Sequence, residues 1–118
     1  MGRTKSVISA GLAGLILCAP TANAETINQL LADTPQASER PIVSGLRDQG
    51  YGYLDYELVN LAWERTCSTF GGAHGASSIA INDAKKNLLG MRFTDGEADA
   101  IIGIASRVHA NPGIESCP

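Results

Sequence analysis

At 118 residues the chain has room for one small domain. Its formal net charge is −3, and it becomes −5 over residues 25–118, where seven basic residues face twelve acidic ones. Such a balance argues against nucleic acid or an anionic membrane surface as the main partner, and it names no partner in their place.

The first 24 residues carry a basic head (Arg3, Lys5), an apolar run from Val7 to Ala19, a breaker at Pro20 and a small-x-small site at Ala22-Asn23-Ala24. This order predicts a secretory signal peptide over residues 1–24, cleaved after Ala24. The apolar run is shorter than the roughly 18 residues of a spanning helix, so no stable membrane span is expected once the signal has gone. Cys18 closes the run as a lipoprotein cysteine would, but the residue before it is the bulky Leu17, which disfavours lipidation. Removing 24 of 118 residues leaves 94, secreted or held in the cell envelope.

Residues 25–38 read as an N-terminal segment and linker ahead of a domain over 39–118. Ile27, Leu30 and Leu31 could form an amphipathic turn or two before "DTPQASERP" interrupts them, and 33–38 reads as linker. Ser38 could then cap a helix with Pro41 in its first turn, Ile42 and Leu46 on its inner face, and Gly50 as a left-handed end.

Asp55 is placed to cap the longest helix, "YELVNLAWERTCSTF", on which Tyr56, Val59, Trp63, Cys67 and Phe70 share one arc with Leu58 and Ala62 beside it. "GGAHG" is a loop by glycine density. Ser77 or Ser78 caps a further helix with Ile81, Ala84 and Leu88 inward, closed by Gly90. Thr94 followed by Glu97 forms a capping box for the last helix, whose stripe holds Ala98, Ile101, Ile102, Ala105, Val108 and His109. No stretch alternates convincingly with period two. The expectation is an all-α fold, a small array or bundle of about four helices.

Of three cysteines, Cys18 leaves with the signal, so Cys67 and Cys117 meet an oxidising compartment where a disulfide is the default. The loop closed spans fifty positions, for which chain entropy gives about 4 kcal/mol. Two free thiols or an intermolecular bridge are the alternatives. Structural zinc is not expected: two cysteines and two distant histidines show no CxxC spacing.

Leu46 with Gly50, the helix bearing Cys67, the glycine-marked loop, the helix capped by Thr94 with Ala98, and the terminal Cys117-Pro118 together resemble the DUF732 family of small secreted helical proteins of mycobacteria and related actinobacteria. The resemblance covers about residues 40–118. It implies an exported helical domain tied by Cys67 and Cys117, with no established activity and no catalytic residues to carry over. The family pattern runs the Thr-capped helix almost directly into "YCP", whereas "NPGIES" intervenes here.

No constellation points to catalysis. A catalytic cysteine would need a free, activated thiol. Ser77, Ser78 and His74 lack a GxSxG elbow, and the acidic turn of Asp95, Glu97 and Asp99 is explained by the helix dipole. Tyr51, Tyr53, Tyr56 and Trp63 place four of six aromatics within thirteen positions. The first reading puts Tyr56 and Trp63 in the core and packs Tyr51 and Tyr53 on a glycine-rich turn with their hydroxyls wet; a site for a small apolar or haem-like ligand is the second. His109 reads as a packing residue near a helix C-terminus. The expectation is a non-enzymatic binding or interaction module with no cofactor and no metal; the alternative is a carrier of a small apolar or haem-like ligand.

Overall fold

The computed structural model describes residues 25–111. Over them the chain is helical: α1 (Ile27–Asp33), a 3-10 turn (Pro35–Glu39), α2 (Pro41–Asp48), α3 (Tyr56–Phe70), α4 (Ser78–Gly90) and α5 (Asp95–Ala110). The all-α expectation holds, with five α-helices in place of about four. The extra helix is α1. Thr26 and Gln29 form a reciprocal capping box, in which the Gln29 amide donates to Thr26 Oγ1 (3.1 Å) and the Thr26 amide to Gln29 Oε1 (2.9 Å).

Long-range bonds complete α1. The Ile27 amide donates to the Leu54 carbonyl (3.0 Å), the Asn28 amide to that of Gly52 (2.9 Å), and the Tyr56 amide to that of Glu25 (2.7 Å). An isolated antiparallel bridge joins Thr26 to Asp55. A seven-residue helix is marginal alone, and these bonds to a loop some 25 positions away explain why it persists.

The expected linker also winds, as the 3-10 turn. Ser38 does not cap α2; its hydroxyl donates back to the Pro35 carbonyl (2.9 Å), and Arg40 holds the N-cap position without a side-chain bond to the α2 amides. Pro41 opens α2 as expected, and Gly50 (φ +90°) takes the left-handed position after it.

Asp55 and Ser77 cap α3 and α4, accepting from the amides of Leu58 (2.8 Å) and Ala80 (3.4 Å). The inner face of α4 is Ala80, Ala84 and Leu88, with Ile81 at its half-buried margin. Gly90 is the last residue of α4 and not its left-handed end. That position falls to Arg92 (φ +76°): the Arg92 amide donates to the Leu89 carbonyl (3.0 Å) and the Phe93 amide to that of Leu88 (3.2 Å). This is a Schellman end with Phe93 and Leu88, both buried, as its apolar contact.

Helix α3 packs against α4 and α5, α2 packs against α5, and α1 with the 3-10 turn packs against α2. The core between them holds Ile27, Ile42, Val43, Leu46, Val59, Trp63, Phe70, Leu88, Ile101 and Ile104. Helix α5 buries Ala98, Ile101, Ile102, Ala105 and Val108 as expected, together with Ala100 and Ile104. His109, in contrast, is exposed. It sits in the last turn, where only the edge of its ring meets Phe70 (centroids 6.1 Å apart). No helix among the described residues is long and apolar enough to cross a membrane. The expected signal peptide over residues 1–24 and Cys117 lie outside the described residues.

Candidate functional site

The aromatic group of residues 51–63 is divided by the fold. Trp63 points into the core and is 1% exposed. Tyr56, half-buried at the first position of α3, accepts a hydrogen bond from Arg40 Nη1 (2.9 Å), and the same nitrogen donates to Asn60 Oδ1 (3.0 Å). Tyr51 and Tyr53 stay together in the loop ahead of α3, their rings tilted at 55° with centroids 6.2 Å apart.

That tyrosine pair lies over the start of α5. Tyr53 is 56% exposed, yet its hydroxyl donates to Glu97 Oε2. The Tyr51 hydroxyl covers Gly96, where an added Cβ would lie 2.8 Å from it. Glu97 Oε1 meanwhile accepts from the Thr94 amide (2.8 Å), and the Glu97 amide donates to Thr94 Oγ1 (3.2 Å). The capping box foreseen from Thr94 and Glu97 is therefore present, and a third partner 44 positions away joins it.

Glu97 is 7% exposed and is the one buried carboxylate among the described residues. Burial pushes its carboxyl up, but hydrogen bonds from Tyr53 and Thr94 outweigh burial and hold it below the ordinary carboxylate range. The same bond to Glu97, above all, pushes the Tyr53 hydroxyl up from its ordinary 10.0. Beside them Lys85 of α4 reaches Asp99 (3.0 Å) and Asp95 (3.6 Å), and its ammonium is raised chiefly by the bond to Asp99.

Cys67 lies on the inner face of α3, 4% exposed, and is disulfide-bonded. A thiolate nucleophile is thus not on offer at this position. Ser77 spends its hydroxyl on capping α4, and its amide donates to the His74 carbonyl (3.2 Å), so Ser77 and His74 share a turn through backbone and not through a nucleophile–base bond. Both histidines are exposed. No group of three or more His, Cys, Asp or Glu side chains able to hold a metal occurs among the described residues.

One turn apart on α3, Trp63 Nε1 and Thr66 Oγ1 are buried without a hydrogen-bond partner. Thr66 was missed in the sequence because threonine counts as polar on a helical wheel, yet it lies in the core. Arg40 was missed as a hub, since nothing local marks an N-cap arginine as the partner of Tyr56 and Asn60. Tyr53 had no local signal for its bond to Glu97: it sits in a turn closed by the Leu54 amide on the Tyr51 carbonyl (3.2 Å).

Compared with family models, curated proteins and solved structures, the chain matches none.

Proposed function

We propose that the protein is a secreted or cell-envelope interaction module with no catalytic activity of its own. It is exported by the residue 1–24 signal, cleaved after Ala24, and closed by a disulfide between Cys67 and Cys117, and its pattern resembles that of the DUF732 family. One observation carries the non-enzymatic reading: the buried carboxylate, the α4 cap serine and the core cysteine are each committed to the fold. Glu97 is taken by Tyr53 and Thr94, Ser77 by the Ala80 amide, and Cys67 by its disulfide.

The same commitment weighs against the carrier alternative, because Trp63 fills the core and the Tyr53 hydroxyl is bonded. Contact with another macromolecule needs no cavity. Exposed Tyr53, Leu61, Ile79 and Leu89 offer apolar side chains for it, and the acidic surface favours a partner that is not itself acidic.

The test is chemical cross-linking of the oxidised mature domain to cell-envelope preparations, with haemin titration and hydrolase screens in parallel. A discrete, saturable adduct that disappears on unfolding the domain is expected, with screens at buffer level. A saturable Soret shift lost in Tyr53→Phe would establish the carrier instead. A turnover abolished in His74→Ala or His109→Ala would establish an enzyme.

A further inference from the structure

The bonds around Glu97 join three parts of the chain that are otherwise separate in sequence. Its carboxylate is the acceptor for Tyr53 of the loop and for the first-turn amide of Thr94. The loop that carries Tyr53 is in turn what α1 is built on, since the Gly52 and Leu54 carbonyls accept from the Asn28 and Ile27 amides. Ile27 and Leu54, both buried, sit at this seam. We propose that Glu97 is an acid-operated latch: adding a proton to its carboxylate releases the Tyr53 loop, and with it α1, while α2 to α5 stay packed.

The chemistry follows from what an ionised carboxylate does that a neutral one does not. As an anion it accepts from Tyr53 on one oxygen and from Thr94 on the other, with both bonds charge-assisted. Once protonated, one oxygen becomes a donor, and the loop is held by a neutral bond of about half the strength. The capping box survives this, because a neutral side-chain carbonyl still serves the Thr94 amide.

The neighbouring charges do not replace it. Tyr51 flanks Tyr53 on the same loop; Lys85 of α4 is occupied by Asp95 and Asp99; Arg47 of α2 pairs with Asp48 at 2.9 Å; and α1 brings the neutral Asn28 to the loop. Because the bonds of Tyr53 and Thr94 hold the carboxyl low, the latch stays shut at neutral and mildly acid pH and opens only below the ordinary carboxylate range. Opening bares the Ile27 and Leu54 seam without dissolving the α3–α5 core. This makes acidity a control on which apolar surface the domain presents, whether or not the interaction reading above holds.

The test is amide hydrogen exchange, expressed as protection factors, on the oxidised mature protein from neutral pH to below about pH 4. The Ile27 and Asn28 amides, which have no contact with Glu97 in the bonds described, should lose about tenfold protection in acid while Val59 and Ile101 keep theirs. Glu97→Gln, which keeps the capping box, should show that loss already at neutral pH and no further acid step. Tyr53→Phe leaves Glu97 and its box untouched and should do likewise, which guards against a folding defect in the first variant. Wild-type protection at Ile27 and Asn28 in both variants would overturn the latch, as would an acid step that both retain, or simultaneous loss of protection at all four amides.

Discussion

Gly45 of α2 meets Ile104 of α5 so closely that a methyl group at 45 would stand 2.8 Å from Ile104 Cδ1 and 3.1 Å from Cγ1. Ile104 is fully buried and has no free direction in which to retreat. The glycine therefore sets how near the two helices come, at the cost of about 1 kcal/mol of helix propensity relative to alanine. Gly45→Ala should nonetheless lower stability by about 1 kcal/mol net, because overpacking costs about 1–3 kcal/mol. Ile104→Val removes the colliding carbon, so the double variant should lose less than the sum of the two singles in urea unfolding. A strictly additive pair would show that the contact does not limit the helix approach.

The two left-handed helix ends make opposite predictions. Arg92 holds φ +76° at a position that glycine occupies without steric cost, so Arg92→Gly should raise the urea midpoint at constant slope, a gain of about 1 kcal/mol in stability. Gly50 has φ +90° and open space around it, so Gly50→Ala should lose about 1 kcal/mol through backbone strain alone. Equal effects at the two sites would contradict the assignment of both ends.

Cys67 is disulfide-bonded in the core face of α3, and Cys117 is its proposed partner. Cys117→Ser should lower the melting temperature by an amount consistent with a loss of about 2–5 kcal/mol, and reduction should match it. Thiol titration of the denatured mature protein should find no free thiol, with a monomer by non-reducing mass spectrometry. Two thiols per chain, or a linked dimer, would overturn the pairing.

Alkaline titration reads the Tyr53–Glu97 bond from its other end. The bond raises the Tyr53 hydroxyl above 10.0, so its contribution to stability is complete below the unfolded value and is lost as pH rises through the folded one. Tyrosinate absorbance should show a late component from Tyr53, and Glu97→Gln should bring it back toward the ordinary 10.0. No change in that variant would mean that the bond is absent in solution.

The parts of the fold legible in the sequence are those governed by neighbours. Asp55, Ser77 and Thr94 announce their helices because a cap and its amides lie within three residues. The arc of Val59, Trp63, Cys67 and Phe70 follows from 3.6-residue periodicity. What was illegible depends on distant partners. Helix α1 needs the Gly52 and Leu54 carbonyls, Arg40 needs Tyr56 and Asn60, and the Thr94–Glu97 box gives no hint of Tyr53. Gly90 misled because glycine is the usual left-handed residue, while the chain gives that conformation to Arg92, where Phe93 can close over Leu88. The aromatic group divides along the expected line, with Trp63 inward and Tyr53 outside, but nothing local announces that the Tyr53 hydroxyl is held by Glu97.

The proposed cleavage point lies one residue from the first long-range bond among the described residues, the Tyr56 amide to the Glu25 carbonyl. Intact mass of the secreted protein should begin at Glu25, and a diacylated species starting at Cys18 would refute cleavage there. A peptidase reads its substrate as an extended strand, so Glu25 and Thr26 cannot serve the enzyme while they are bridged to Asp55 and Tyr56. Processing and the closing of α1 therefore compete in time for the same peptide groups. Under the proposed cleavage after Ala24, a chain that closed this pairing first would keep its leader.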